Sequence, residues 1–156
     1  MLRTATRVHL VLVATLLCRA ASAQQLTPEG RWRTIDDKTN VAKSIVAITL
    51  VNGQLEGTVE RVFVPPSKEE FPMCTPCPGE FNGKPVIGMR ILWGLRRDGS
   101  AQEYVDGRVF DPDAGKIYRC KVRVVDGGRK LEVRGFVGVS LLGRTQTWVR
   151  EAGATR

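Results

Sequence analysis

The chain has 156 residues and carries 24 Lys and Arg against 16 Asp and Glu, a formal net charge of +8. Its one histidine, His9, lies in a segment that we expect to be removed on export. The mature chain then excludes histidine-dependent hydrolases and histidine-ligated metal centres. We therefore predict that the protein is not an enzyme, with no catalytic residue, no metal and no cofactor.

A secretory signal peptide is predicted over residues 1–23. A basic start precedes an apolar run at 8–17, and small residues follow up to Ala23. The apolar run, of about 10 residues, is too short to cross a bilayer, which needs about 20. A lipoprotein signal at Cys18 is the alternative, but Leu17 stands where such signals carry Gly or Ala. We predict cleavage after Ala23, a periplasmic or secreted location, and a single domain over 24–156 without a transmembrane segment.

Short strands separated by turn dipeptides follow, without the 3.6-residue period of an amphipathic helix. Asn52-Gly53 predicts a tight hairpin, because both of its turn positions need a positive φ. After the Gly30-Arg31-Trp32 segment, the predicted strands are 44–50, 54–64, 86–97, 103–110, 117–125, 130–137 and 143–150. About eight antiparallel strands in sequential hairpins predict an all-β chain that forms a single up-and-down β-barrel, an arrangement that removes sheet edges.

Two motifs near the ends of the mature chain predict that the sheet closes. Gly30-Arg31-Trp32 begins the first strand, and Trp148-Val149-Arg150 ends the last. The first and last strands can meet only where a β-sheet curls into a barrel, and Arg150 would then lie across the indole of Trp32. We therefore predict that Trp32 and Arg150 form the barrel-closure contact.

The segment 86–97 alternates with a period of two, which is typical of a strand with one buried face. Its predicted inward residues are Ile87, Met89, Ile91, Trp93 and Leu95. A barrel of about eight strands is wide enough either to be filled by side chains or to hold one small ligand. Because the predicted inner faces mix bulky and small residues, we predict a modest apolar cavity inside the barrel. The residues predicted to line it are Ile87, Met89, Ile91 and Trp93.

A proline-rich segment from Pro65 to Pro85 interrupts the hairpins and predicts a long loop over one mouth of the barrel. Its Cys74 and Cys77 could form a redox dithiol, part of a zinc site or a disulfide. Neighbouring Pro and Gly disfavour the helix N-terminus that a redox dithiol uses, and the mature chain lacks a fourth zinc ligand. In an oxidising compartment we predict a Cys74–Cys77 disulfide. Cys120 is predicted to be a buried, inert thiol.

Two close carboxylate pairs, at Asp36-Asp37 and Asp111-Pro112-Asp113, could hold a hard cation or act as acid and base. Each pair lacks a further acidic ligand nearby. Turn chemistry accounts for both, because Asp side chains accept hydrogen bonds from the backbone of the residues that follow them.

Several motifs follow one another along nearly the whole mature chain. They are Gly30-Arg31-Trp32-Arg33-Thr34-Ile35-Asp36-Asp37-Lys38, Cys74-x-x-Cys77-Pro78-Gly79, Ile87-Gly88-Met89-Arg90-Ile91-Leu92, Asp111-Pro112, Gly115-Lys116-Ile117-Tyr118, Val133-Arg134-Gly135 and Gly143-Arg144-Thr145-Gln146-Thr147-Trp148. In this order they closely resemble a bacterial exported family, domain of unknown function 2147. The resemblance implies a lipocalin-like β-barrel in the cell envelope and implies no established activity, substrate or catalytic residue.

The leading functional hypothesis is a monomeric, exported, non-enzymatic binding module for a small apolar or amphipathic ligand. A second hypothesis is a barrel filled by side chains whose outer surface contacts a protein or polymer of the envelope. A thiol-active or carboxylate-based enzyme is the third. An exported chain does not normally meet nucleic acid, so the basic excess predicts a solvated surface or contact with anionic envelope polymers or lipid head groups.

Overall fold

Eight antiparallel strands close into a barrel in the computed structural model, which describes residues 27–64, 72–75, 77–99 and 102–153. Within these ranges the strands are β1 (Gly30–Ile35), β2 (Ala42–Val51), β3 (Gln54–Val62), β4 (Arg90–Arg97), β5 (Glu103–Asp111), β6 (Lys116–Val125), β7 (Lys130–Phe136) and β8 (Arg144–Arg150). Each strand pairs with the next along the chain, and β1 pairs with β8. Short 3-10 helices form at Gly79–Phe81, Asp126–Gly128 and Ser140–Leu142. The predicted all-β, single up-and-down barrel of about eight strands is confirmed.

Up-and-down connectivity gives the barrel two different ends. The β1–β2, β3–β4, β5–β6 and β7–β8 connections lie at one end, which we call the loop end. The β2–β3 and β6–β7 turns lie at the other, which we call the hairpin end. The β2–β3 turn is the predicted one, with φ of 50° at Asn52 and 76° at Gly53.

The predicted signal peptide, with Cys18 and the cleavage point after Ala23, lies outside the described residues. Residues 65–71 and 76 of the proline-rich loop lie outside them too. Within the described ranges, no helix has both the length and the apolar character needed to cross a membrane.

Side chains fill the described interior of the barrel. Cross-strand partners share one face of a sheet, and the inward positions are at most 8% exposed. They include Trp32, Val46, Ile48, Leu55, Val59, Leu92, Leu95, Tyr104, Cys120, Val122, Val124, Leu131, Val133 and Trp148. A Cβ on Gly107 would lie 2.7 Å from Leu95 Cδ2, and a Cβ on Gly57 would lie 2.9 Å from Leu92 Cβ. The two leucines therefore occupy the space that the glycines leave.

β4 departs from the predicted alternation. It begins at Arg90 instead of Val86, because Ile87 and Gly88 form a turn in which Gly88 has a φ of 85°. Its register against β3 shifts on both sides of Leu92, and Gly94 has a φ of 75°. Such β-bulges insert an extra residue and change which side chains face inward.

The bulges in β4 overturn the predicted internal cavity. Leu92 and Leu95 are fully buried, whereas Trp93 pairs with the exposed Arg108 and faces outward. The prediction that Ile87, Met89, Ile91 and Trp93 line a cavity inside the barrel is therefore wrong.

Candidate functional site

The predicted barrel-closure residues lie together where β1 meets β8, at the hairpin end. Trp32 and Arg150 are cross-strand partners, and the guanidinium carbon of Arg150 lies 4.1 Å from the centre of the Trp32 ring. The indole is fully buried, and its Nε1 donates to the carbonyl oxygen of Pro28 at 2.7 Å. A cation therefore covers the aromatic face at the seam of the barrel.

Arg150 also holds the segment that precedes β1. Its guanidinium donates to the carbonyl oxygens of Thr27 at 2.7 Å, Glu29 at 2.8 Å and Gly128 at 2.5 Å. Partial burial lowers the pKa of Arg150, yet an arginine keeps its charge in a protein. These contacts join the start of β1, the β6–β7 turn and the end of β8, so the role they indicate is structural.

The described part of the proline-rich loop packs on the outer face of the barrel wall. The ring of Phe81 stacks on that of Phe110, with centroids 4.3 Å apart. Phe110 pairs across the sheet with Ile117, which is 45% exposed, so this face points outward. The prediction that the loop covers a mouth of the barrel is therefore wrong for its described residues. They cover Phe110 on the outer wall instead.

Hydrogen bonds within the loop give it a defined shape. The backbone N–H of Cys74 donates to the carbonyl of Lys84, and that of Gly83 donates to the carbonyl of Cys74, both at 2.9 Å. The Cα atoms of Cys74 and Cys77 lie 5.4 Å apart, and the structure joins the two residues in a disulfide. Both sulfur atoms lie within 3.7 Å of the carbonyl oxygen of Pro112, so the disulfide packs against the β5–β6 turn.

Cys120 lies apart from that disulfide, in the interior. It is a free cysteine and fully buried, and burial raises the pKa of its thiol to about 12. A thiolate is the reactive form of cysteine, so this side chain is a packing residue at neutral pH.

A groove of about 520 Å³ opens on the outer wall, between the folded loop and strands β4 and β6. We call it the outer groove. Its apolar lining is provided by Phe81, Pro85, Ile87, Met89, Trp93 and Ile117. Three of the predicted cavity residues, Ile87, Met89 and Trp93, are thus brought together outside the barrel. Ile91, 6% exposed, belongs to the buried core.

Charged side chains border the outer groove. The guanidinium of Arg90 lies 5.7 Å from the centre of the Trp93 ring and donates to Glu56 Oε1 at 3.0 Å. Lys84 adds a second cation to the lining, and Glu80 adds a carboxylate. The groove therefore combines apolar side chains with a rim of mixed charge, in which Arg90 is paired with Glu56, as suits an amphipathic molecule.

A second groove, of about 360 Å³, lies on the outer faces of β6, β7 and β8. Its charged groups bind one another. Lys121 pairs with Glu103 at 2.9 Å, and Arg123 pairs with Glu132 at 2.8 Å. Because these pairs satisfy each other, this groove is a weaker candidate for a ligand site than the outer groove.

Both carboxylate pairs are used in turns. Asp36 Oδ1 accepts from the backbone N–H groups of Lys38 and Thr39, and the hydrogen bond from the Thr39 backbone is the main cause that lowers the pKa of Asp36. Asp111 Oδ1 accepts from the N–H groups of Asp113 and Ala114. Across the described ranges, no group of three His, Cys, Asp or Glu side chains is placed to hold a metal ion.

Sequence reasoning missed Phe81, Arg90 and Ile117 as residues of the groove. Phe81 lies in the loop before β4 and Ile117 on β6, and they come to one face because Phe81 stacks on Phe110, which pairs with Ile117. One signal was available for Trp93, since Gly94 inside a strand pattern is typical of a bulge.

Comparison with known proteins supports this architecture. The model of a bacterial family described as "Uncharacterized protein conserved in bacteria (DUF2147)" matches residues 30–150. The solved structure of protein HP1028 from Helicobacter pylori, described as belonging to the lipocalin family, is similar with a TM-score of 0.67 at 20% sequence identity. The similarity covers 80% of this chain and 82% of that one. No curated protein sequence matches the chain significantly.

Proposed function

The chain belongs to the bacterial family DUF2147, and we propose that it is a non-enzymatic binding module that takes a small amphipathic ligand in the outer groove. The observation that carries this proposal is the partly exposed Trp93 at the floor of a groove of about 520 Å³. Ligand pockets are typically concave, mostly apolar and of this size, with few polar groups. Lipocalin barrels of similar strand number hold a ligand inside, whereas here side chains occupy that space.

The surroundings of the groove support an amphipathic ligand over a purely apolar one. Ile87, Met89 and Ile117 offer apolar contact, while Lys84 offers positive charge at the rim beside the Arg90–Glu56 pair. A molecule with an apolar body and one anionic group would match both parts. The absence of histidine from the mature chain, together with the buried Cys120, supports a binding role over catalysis.

Export is part of the proposal. The basic start, apolar run and small residues up to Ala23 support a secretory signal. An oxidising compartment would also suit the Cys74–Cys77 disulfide, because such bonds persist outside the cytosol. We therefore assign the ligand to the molecules present in the envelope or the medium.

Titration with dodecanoate, followed by tryptophan fluorescence, tests the proposal. Trp32 and Trp148 are buried, so a saturable change is expected to come from Trp93 and to vanish in Trp93→Phe. Ile117→Glu places a carboxylate in the apolar part of the groove, where it would also repel the dodecanoate anion, and should weaken binding at least about tenfold.

Leu50→Glu is the matched control, because Leu50 is 48% exposed at the hairpin end and Ile117 is 45% exposed in the groove. The control should bind dodecanoate as the wild-type protein does. Binding that survives Ile117→Glu would place the ligand elsewhere, and the lack of any saturable signal would leave the outer groove without this function.

A further inference from the structure

The loop between β7 and β8 exposes four large aliphatic side chains at the loop end. Val137 is 73% exposed, Val139 62%, Leu141 85% and Leu142 81%. We call these four residues the apolar tip. Soluble monomers rarely leave large contiguous apolar patches in water, and such patches mark sites of contact with proteins or membranes.

Arginines from the neighbouring strands hold the loop in this shape. Arg134 donates from Nε to the carbonyl oxygen of Ser140 at 2.7 Å and from a terminal nitrogen to that of Leu141 at 3.0 Å. Arg119 donates to the carbonyl of Gly138 at 3.1 Å. The two arginines therefore donate hydrogen bonds to three carbonyl groups of the loop, while its aliphatic side chains stay exposed to solvent.

The chain segment that carries the apolar tip is basic. No acidic residue occurs between Val133 and Arg150 in the sequence. Arg119, Arg134 and Arg144 flank the tip, and Arg144 pairs with Asp37 of the β1–β2 turn. That pairing brings the β1–β2 turn beside the tip, where Val41 adds another exposed apolar side chain.

From this arrangement we propose that the apolar tip docks the protein on a bilayer surface that carries anionic lipids. Leu141 and Leu142 would enter the boundary between head groups and acyl chains, with the flanking arginines against the phosphates. Apolar side chains ringed by basic ones are the arrangement by which peripheral proteins bind such surfaces. A convex tip fits a deformable lipid surface better than it fits a rigid partner.

The inference is independent of the outer groove, since none of the tip residues lines it. The two sites nevertheless share an end of the barrel. β4, β6 and β8 all begin at the loop end, so Arg90 and Ile117 lie on the side that would face the lipid surface.

Vesicle co-sedimentation of the protein purified from the periplasm tests the proposal. Vesicles with about a third phosphatidylglycerol should bind the protein at least about tenfold more tightly than vesicles of phosphatidylcholine alone, and added salt should weaken this binding. The double variant L141S/L142S should lose at least about tenfold in affinity for the anionic vesicles. Both leucines are exposed, so the thermal midpoint should stay unchanged.

The matched control is L50S/V51S, which removes two exposed apolar side chains from the hairpin end. It should bind anionic vesicles as the wild-type protein does, and so should Trp93→Phe, which changes only the groove. Equal binding to both vesicle types, or wild-type binding by L141S/L142S, would overturn the proposal. A soluble dimer that the tip variant abolishes, without vesicle binding, would also overturn it and make the tip a protein contact.

Discussion

Replacing Arg150 with alanine tests whether the seam between β1 and β8 depends on one side chain. The guanidinium covers the Trp32 ring and donates to three backbone carbonyls. A cation–π contact of this kind contributes about 0.5–2 kcal/mol. A hydrogen bond from a charged donor contributes about 1.5–3 kcal/mol when buried, and less where water can replace it.

Because Arg150 is only partly buried, water would replace some of these contacts in the variant. We expect Arg150→Ala to lower the free energy of unfolding by about 2–4 kcal/mol. With a urea dependence of about 2 kcal/mol/M, the midpoint of unfolding should fall by about 1–2 M. The variant should still fold, since domains are stable by about 5–15 kcal/mol.

Urea unfolding followed by tryptophan fluorescence provides the measurement, with Arg123→Ala as control. Arg123 is an exposed arginine that pairs with Glu132, and removing an exposed pair costs about 1 kcal/mol or less. Arg150→Lys should give an intermediate loss, because a lysine ammonium cannot reach all three carbonyls in the same fork geometry. If Arg150→Ala lowers the free energy of unfolding no more than Arg123→Ala does, backbone pairing holds the seam and the reasoning is refuted.

The remaining predictions concern the interior, the cysteines and export. Leu95→Ala should lower the free energy of unfolding by about 3–5 kcal/mol, because Gly107 has no side chain to fill the cavity that the substitution leaves. A decrease of less than about 1 kcal/mol would indicate a hollow barrel. In non-reducing alkylation with mass spectrometry, Cys120 should be unlabelled in the native protein and labelled once it is unfolded, and a link from Cys120 to either loop cysteine would contradict the disulfide assignment. If the protein is exported as proposed, intact mass of the protein from an expressing bacterium should show cleavage after Ala23, and a lipid-modified Cys18 would contradict this.

The strand order could be predicted because short motifs in the sequence signal its turns and its closure. Asn52-Gly53 sets a tight turn through positive φ at both positions, and the paired Gly30-Arg31-Trp32 and Arg150 motifs indicated closure, which β1 and β8 show. The site could not be predicted in the same way. Its position depends on which way Trp93 faces, and a β-bulge reverses that direction without changing the overall apolar pattern.

The bulge at Gly94 also explains why the interior is closed while the outer wall is apolar. With Gly94 at a φ of 75°, both Leu92 and Leu95 point inward, and they fill the space beside Gly57 and Gly107. Trp93 is then placed on the outer face, where its side chain would be exposed to solvent unless another segment packed over it.

The proline-rich loop supplies only part of that cover. Phe81 stacks on Phe110 and leaves it fully buried, whereas Trp93 stays partly exposed beside Arg90. Where the loop covers the apolar outer surface only in part, a groove remains. Burial of the apolar surface that is still exposed in this groove would favour the binding of a ligand. The same backbone distortion therefore fills the interior of the barrel and leaves a partly apolar groove on its outer wall.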